Sequence, residues 1–174
     1  MEKTDADCVV TTSCRRGMLA ALRVPDPGFF MTLASATAPL ILIAAALLVA
    51  PDGRTLLVRK RGTQAFMQPG GKIEPGELPS HALARELEEE LGLRIAPDDA
   101  RYLGRFSAPA ANEPGHVVEA QLFRLDLDSD QVTPAAEIEE VRWVDPANAD
   151  ELTLAPLTRD LILPFYRASQ LASA

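Results

Sequence analysis

Between Pro79 and Gly92 the chain carries a pattern that only a helix satisfies. Proline suits a first helical turn, because its missing N–H would be unpaired there anyway, and glycine is a natural helix stop. At about 100° per residue, Glu89 and Glu90 lie roughly 60° and 40° to either side of Glu86, so three carboxylates share one stripe. Leu83, Leu87 and Leu91 form the neighbouring stripe, which must find a sheet or a second helix to pack on. Glu88 falls on the far side from the carboxylates and reads as solvated. The fold therefore has to cover the leucines while leaving the acids accessible.

Taken alone, such a helix works against itself. Like charges three and four residues apart repel at about 0.2–0.5 kcal/mol per pair. Carboxylates near a helix C-terminus also oppose its dipole, at about 0.3–1 kcal/mol each. A divalent cation reverses the sign of the repulsion, whereas the plain alternative is a solvated acidic face. Oxygen ligands without neighbouring His or Cys favour Mg²⁺ or Mn²⁺ over zinc. The two cysteines, Cys8 and Cys14, can neither complete a four-ligand zinc site nor staple a small secreted domain. Upstream, Gly70 and Gly71 allow close backbone approach to a ligand and can turn a carbonyl toward the same cation. Gly76 bends the chain so that Glu77 sits near the helix start, where a carboxylate is favoured.

The 174 residues suffice for one domain with a real core. From Pro27 to Pro51 no residue is charged, a run long enough to span a bilayer. Pro39 interrupts it, however, and Thr32, Ser35 and Thr37 make its first half polar. Its second half leads through Pro51-Asp52-Gly53 into Thr55-Leu56-Leu57-Val58-Arg59, which reads as a β-hairpin rather than a span. A signal peptide is the remaining alternative, with Arg15 and Arg16 ahead of an apolar stretch and Ala34-Ser35-Ala36 resembling a cleavage site. Residues 1–37 show no sustained period and are expected to form a poorly ordered extension, with 38–174 as the functional domain. Strands are expected at 40–50, 55–61, 101–107, 117–127 and 141–144. Helices are expected at 79–91 and across 155–171, where Pro156 and Pro164 limit the second. This interleaving indicates an α/β domain with helices packed on a sheet.

Gly71, five residues, Glu77, seven residues, then Arg85-Glu86-Leu87-x-Glu89-Glu90-x-Gly92-Leu93 match the Nudix box at every defined position, and the segment resembles the Nudix hydrolase family. The resemblance covers about 40–170, with its specificity almost wholly in the box. Fainter likenesses lie in Leu57 to Arg61, in the lead-in Phe66-Met67-Gln68-Pro69, and in Val141-Arg142-Trp143-Val144. The family implies an α/β/α sandwich with a mixed β-sheet, and hydrolysis of a nucleoside diphosphate linked to another group. By position, the resemblance makes Glu86, Glu89 and Glu90, with the carbonyl of Gly70, the ligands of Mg²⁺ or Mn²⁺. Arg85 would orient the acids, a role compatible with an ion pair to Glu89, and Glu77 would support the site through its loop. Together with Glu89 and Glu86, a later acid completes the catalytic set. Glu137, Glu139 and Glu140 are the candidates, and Glu137 is the choice, against the alternative of a solvated loop charge.

Arg59, Lys60, Arg61 and Lys72 are the candidates for substrate phosphates, and Arg59, Arg61 and Lys72 are the choice among them. On a strand Arg59 and Arg61 share a face and Lys60 points the other way, and the plain alternative for all four is a solvated charge. His81 and His116 read as surface residues and Trp143 as core. Pro109, sixteen residues beyond Leu93, fits the ADP-ribose-cleaving members, while the tyrosine expected of dinucleoside polyphosphate cleavers is absent. Oxidised nucleoside triphosphates stay open as substrates. The rival reading is a non-catalytic nucleotide-binding or regulatory domain, although such domains commonly lose box acids and none is lost here. An isomerase would be expected to use a core cysteine, and both cysteines lie outside the match.

The net charge of −8 disfavours a nucleic-acid polymer as partner. Residues 51–105 carry nine acids and nine bases, and residues 106–174 carry twelve acids and four bases, so the whole excess lies beyond the box. The expectation is a cytoplasmic enzyme acting on a small nucleoside diphosphate derivative, without a membrane partner and with a homodimer left open.

Overall fold

The computed structural model describes residues 38–172; the extension expected over 1–37, with both cysteines, lies outside the described residues. Strand β1 (Leu40–Val49) is the second half of the uncharged run. It pairs along its full length, in parallel, with β5 (Val117–Asp126), from Leu40 opposite Val117 to Val49 opposite Asp126. Strand β4 (Arg101–Pro109) pairs antiparallel with β5 from the outside. On the other side lie β2 (Thr55–Lys60) and β6 (Ile138–Val144), also antiparallel, so the sheet runs β4-β5-β1-β2-β6. A three-residue strand, β3 (Gly70–Lys72), adds antiparallel to β1 through Ile43, Ala44 and Ala45.

The apolar run reads without alternation because β1 is buried on both faces, as expected for a central strand with a parallel neighbour. Ala44, Ala46 and Leu48 join Leu56, Val58 and the leucines of α1 (Pro79–Leu91) in one core. Ala45, Leu47 and Val49 turn the other way and pack with Leu157, Ile162 and Tyr166. The second layer consists of a π-helical turn (Thr158–Ile162) running into α2 (Leu163–Leu171). Helices therefore cover both faces of a mixed sheet, the expected α/β/α sandwich. Among the described residues no helix is long and apolar enough to cross a membrane.

Three expectations need adjusting. The Asp52-Gly53 turn does join β1 to β2, but the two strands share only the Val49–Thr55 pair before they part. The stretch 66–69 is the reason: Met67 exchanges both backbone hydrogen bonds with Val58, and the N–H of Ala46 donates to the carbonyl of Pro69 at 2.9 Å. Strand β6 begins at Ile138, three residues early, and β3 was not anticipated at all. The single helix expected over 155–171 is a π-turn followed by an α-helix, with Pro164 in the first turn of the latter.

Helix α1 begins and ends where its sequence places it. Pro79 opens it, and Gly92 closes it with a left-handed φ of 66°. The N–H groups of Gly92 and Leu93 donate to the carbonyls of Glu88 and Leu87, satisfying two helix-end acceptors. Leu83, Leu87 and Leu91 are all buried against the sheet.

Candidate active site

Where β1 and β2 part, a cleft of about 420 Å³ opens beside β3. Its wall is mixed: Lys60, Lys72, Glu86 and Glu137 bring charge, and Ile41, Ile43, Val118 and Leu157 bring apolar surface. Pro109 and the loop that follows β4 close one side.

The glycine pair is required by close approach. A methyl group on Gly71 would lie 2.3–2.5 Å from the carboxyl atoms of Glu86, so the missing side chain is the space that this acid occupies. On Gly70, with φ at 134°, it would meet the carbonyl oxygen of Ala44 at 2.1 Å, where β3 joins β1. At Gly70 the obstacle is backbone, so only glycine lets the loop pair with β1 there; at Gly71 it is the Glu86 side chain.

The three box carboxylates occupy graded depths. Glu89 is exposed, Glu86 is half-buried and Glu90 is only 1% exposed. Helical geometry accounts for this: Glu90 lies only about 20° around the helix from Leu83 and so falls within the apolar stripe. Its Oε2 accepts the N–H of Gly70 at 2.8 Å. Its Oε1 faces Lys60 Nζ at 3.1 Å, an ion-pair distance without hydrogen-bond alignment. Burial raises the pKa of Glu90, and the Lys60 ammonium only partly opposes it. Burial by itself would lower the Lys60 pKa, but the carboxylates of Glu90 and Glu137 outweigh it and hold the ammonium charged.

Arg85 ties the helix to its lead-in loop. Its Nε and Nη2 each donate to Glu77 at 3.0 Å, its Nη1 to Glu86 at 2.6 Å, and Nη2 also to the carbonyl of Lys72. Glu77 also accepts the N–H of Glu74, and the guanidinium beside it lowers its pKa to about 2. The ion pair from Arg85 to Glu89 weighed from the sequence gives way to these contacts with Glu77 and Glu86.

Among the acids after residue 136, Glu137 borders the cleft and pairs with Lys60, whereas Glu139 and Glu140 both bind Arg59. Arg59 is thereby engaged, with a further bond to the carbonyl of Thr63, and does not line the cleft. Arg61 is exposed and does not line it either. Of the four phosphate-binding candidates, Lys60 and Lys72 border the cleft, and the chosen Arg59 and Arg61 do not. The signal for Lys60 was present in the alternation: Leu56, Val58 and Lys60 share a face, and that face packs on α1. Trp143 packs against the α1 core and donates Nε1–H to the carbonyl of Asp130.

The donor set suits a hard cation. Every candidate ligand is an oxygen, Glu90 Oε1 is buried without a hydrogen-bond partner, and the backbone of β3 runs between Glu86 and Glu90. Among the described residues no three His, Cys, Asp or Glu side chains already cluster as a cage. Glu86 and Glu90 are instead held by Arg85 and Lys60.

The NUDIX domain family model matches residues 39–165. An octanoyltransferase of Myxococcus xanthus is 40% identical over 104 residues, 58% of this chain and 29% of that protein. An ADP-ribose pyrophosphatase of Methanocaldococcus jannaschii is 30% identical over 108 residues, 60% of this chain and 62% of that protein. The chain thus spans less than two thirds of either relative. A crystal structure of a MutT protein from Methanosarcina mazei superposes with a TM-score of 0.63 at 24% identity, covering 76% of this chain and 96% of that one.

Proposed function

The chain belongs to the Nudix hydrolase family, and from that premise we propose that it is a metal-dependent hydrolase cleaving the diphosphate linkage of a nucleoside diphosphate derivative. One observation carries this reading. A helix bearing the complete box acids brings Glu86 to a cleft whose wall combines charged groups with apolar side chains. A nucleotide combines the same two characters, with charge at the diphosphate and an apolar ring face at the base.

Glu86, Glu89 and Glu90, with the carbonyl of Gly70, would hold Mg²⁺ or Mn²⁺. Such a cation supplies positive charge to offset the diphosphate and lowers the pKa of a water. Arg85 fixes the rotamer of Glu86, and Glu77 fixes Arg85. Lys60 and Lys72 line the cleft and would offer ammonium groups to the diphosphate. Glu89, the exposed acid of the stripe, would position an attacking water and take its proton. Glu137, which lines the cleft and pairs with Lys60, would add a further carboxylate. Pro109 in the cleft wall, together with the relative named for ADP-ribose, supports an ADP-ribose-like substrate. A nucleoside triphosphate, which the sequence leaves open, is the second candidate.

The test is a panel of ADP-ribose, other nucleoside diphosphate derivatives and nucleoside triphosphates, assayed with Mg²⁺ or Mn²⁺. The Glu89→Gln variant is expected to lose about 10²-fold or more in kcat/KM while its circular dichroism and thermal midpoint are retained. Equal turnover by both proteins would overturn the reading. Turnover by neither, with nucleotide binding intact, would favour a nucleotide-binding regulatory domain instead.

A further inference from the structure

Among the polar side chains that line the cleft and that catalysis leaves unused, Gln68 is the buried amide. Gln68 is 5% exposed, lines the cleft, and its Nε2 has no hydrogen-bond partner. Buried amide donors are nearly always paired, because an unpaired one forfeits its bonds to water with nothing in return. The other end of the same amide is fixed. Thr158, fully buried, donates its hydroxyl to Gln68 Oε1 at 2.8 Å. With the oxygen engaged, the NH₂ end is the one left over.

The surrounding backbone holds this pair in place. Phe66 and the 153–155 stretch exchange backbone hydrogen bonds at 2.8 and 2.9 Å, which docks the lead-in to β3 against the segment preceding the π-turn. Thr158 is the first residue of that turn, and such turns, rare in themselves, recur at functional sites. Ile43, Ala45 and Leu157 line the same cleft. A methionine or leucine at position 68 would remove the unpaired N–H₂, though at the expense of the acceptor that the Thr158 hydroxyl uses.

We propose that Gln68, oriented by Thr158, is a specificity-determining residue whose amide N–H donates to an acceptor atom on the nucleobase of the bound substrate. The inference rests on the hydrolase reading for what enters the cleft. Its physical content is separate: the cleft recognises a ring that presents a carbonyl oxygen or ring nitrogen. The unpaired amide belongs to the cleft wall, so the cleft is the side from which a partner reaches it. A site built this way accepts a ring with the matching acceptor and penalises a ligand that leaves the donor unpaired.

Binding experiments test this independently of turnover. The full chain with Mg²⁺ is titrated calorimetrically with the α,β-methylene analogues of adenosine, guanosine, cytidine and uridine diphosphates, and with methylenediphosphonate, which has no base. Wild type is expected to bind at least one nucleoside analogue more tightly than methylenediphosphonate. Gln68→Met is expected to cut that preference about fivefold, the effect of one neutral hydrogen bond, while affinity for methylenediphosphonate holds. Gln68→Met is not expected to raise the thermal midpoint without ligand, because losing the unpaired donor also strips the buried Thr158 hydroxyl of its acceptor.

Gln68→Glu keeps an acceptor for the Thr158 hydroxyl but has no N–H₂ to offer, so it should lose the preference as well. Thr158→Val, which frees the amide to rotate, should lose part of it. An undiminished base preference in Gln68→Met or Gln68→Glu would overturn the proposal, as would a wild type with no preference for a base. None of these outcomes depends on whether Glu89→Gln is inactive, so failure here and failure of the hydrolase reading are told apart.

Discussion

Gly70 and Gly71 are adjacent, yet an added methyl group meets different obstacles at each. At Gly71 it meets the carboxyl end of Glu86, a flexible side chain that can swing aside. Gly71→Ala should therefore fold and displace Glu86 from the cleft, with loss of activity exceeding any loss of stability. At Gly70 it meets the backbone of Ala44, and φ lies at 134°, so the β1–β3 pairing itself must yield. Gly70→Ala should cost about 1–3 kcal/mol or more in urea denaturation. Comparable stability loss in the two variants would contradict this distinction. Glu77 gives a pH signature at the same scale. Its folded pKa, near 2, lies below the ordinary 4.5, so its contribution to stability is complete above about pH 4.5 and is lost as pH falls from there toward 2. Glu77→Gln should flatten the wild-type decline in thermal midpoint across that window, and an unchanged slope would mean that the Arg85 contact is not maintained in solution.

The elements differ in how openly their sequences announced them. Helix α1 was legible from end to end because local chemistry fixes it: a proline at one end, a glycine at the other and a leucine stripe between. Strands β1, β4 and β5 were legible from apolar content. Strand β3 was not, since Gly70-Gly71-Lys72 has neither period nor propensity, and its extended form is imposed by pairing to Ile43–Ala45. The hairpin reading was sound at the turn and misled beyond it, because a segment ten residues downstream inserts between the two strands. Most of the candidate site followed the same division. The box acids and Arg85 came from local spacing. Lys60, Gln68 and Thr158 depended on which sheet face meets α1 and on how 66–68 docks against 153–158, both long-range facts. Glu90 is the instructive case, since the wheel that set it beside Glu86 also set it about 20° from Leu83, and only the packed sheet decides that it is buried.

At the largest scale, the described residues form two cores on opposite faces of one sheet, and β1 contributes alternate residues to each. The cleft opens where that sheet splits, so its walls belong to both layers: Glu86 comes with α1, Leu157 and Thr158 with the π-turn. Whether the layers communicate energetically is therefore a functional question as well as a structural one. Leu87 is buried in the first core and Ile162 in the second, and they share no cluster. Leu87→Ala should cost about 2–5 kcal/mol and Ile162→Val about 0.5–1.5 kcal/mol, by lost contacts and residual cavity. With a packed sheet between the two sites, the double variant should lose the sum to within about 0.5 kcal/mol. Urea denaturation of the four proteins measures this, provided that the slope of each transition is the same. A coupling above about 1 kcal/mol would show that the backbone of β1 shifts to relieve one cavity at the expense of the other face. In that case Ala44, whose carbonyl backs onto Gly70, would carry the shift directly to the candidate metal loop, and substitutions in the apolar wall would be expected to disturb the acids.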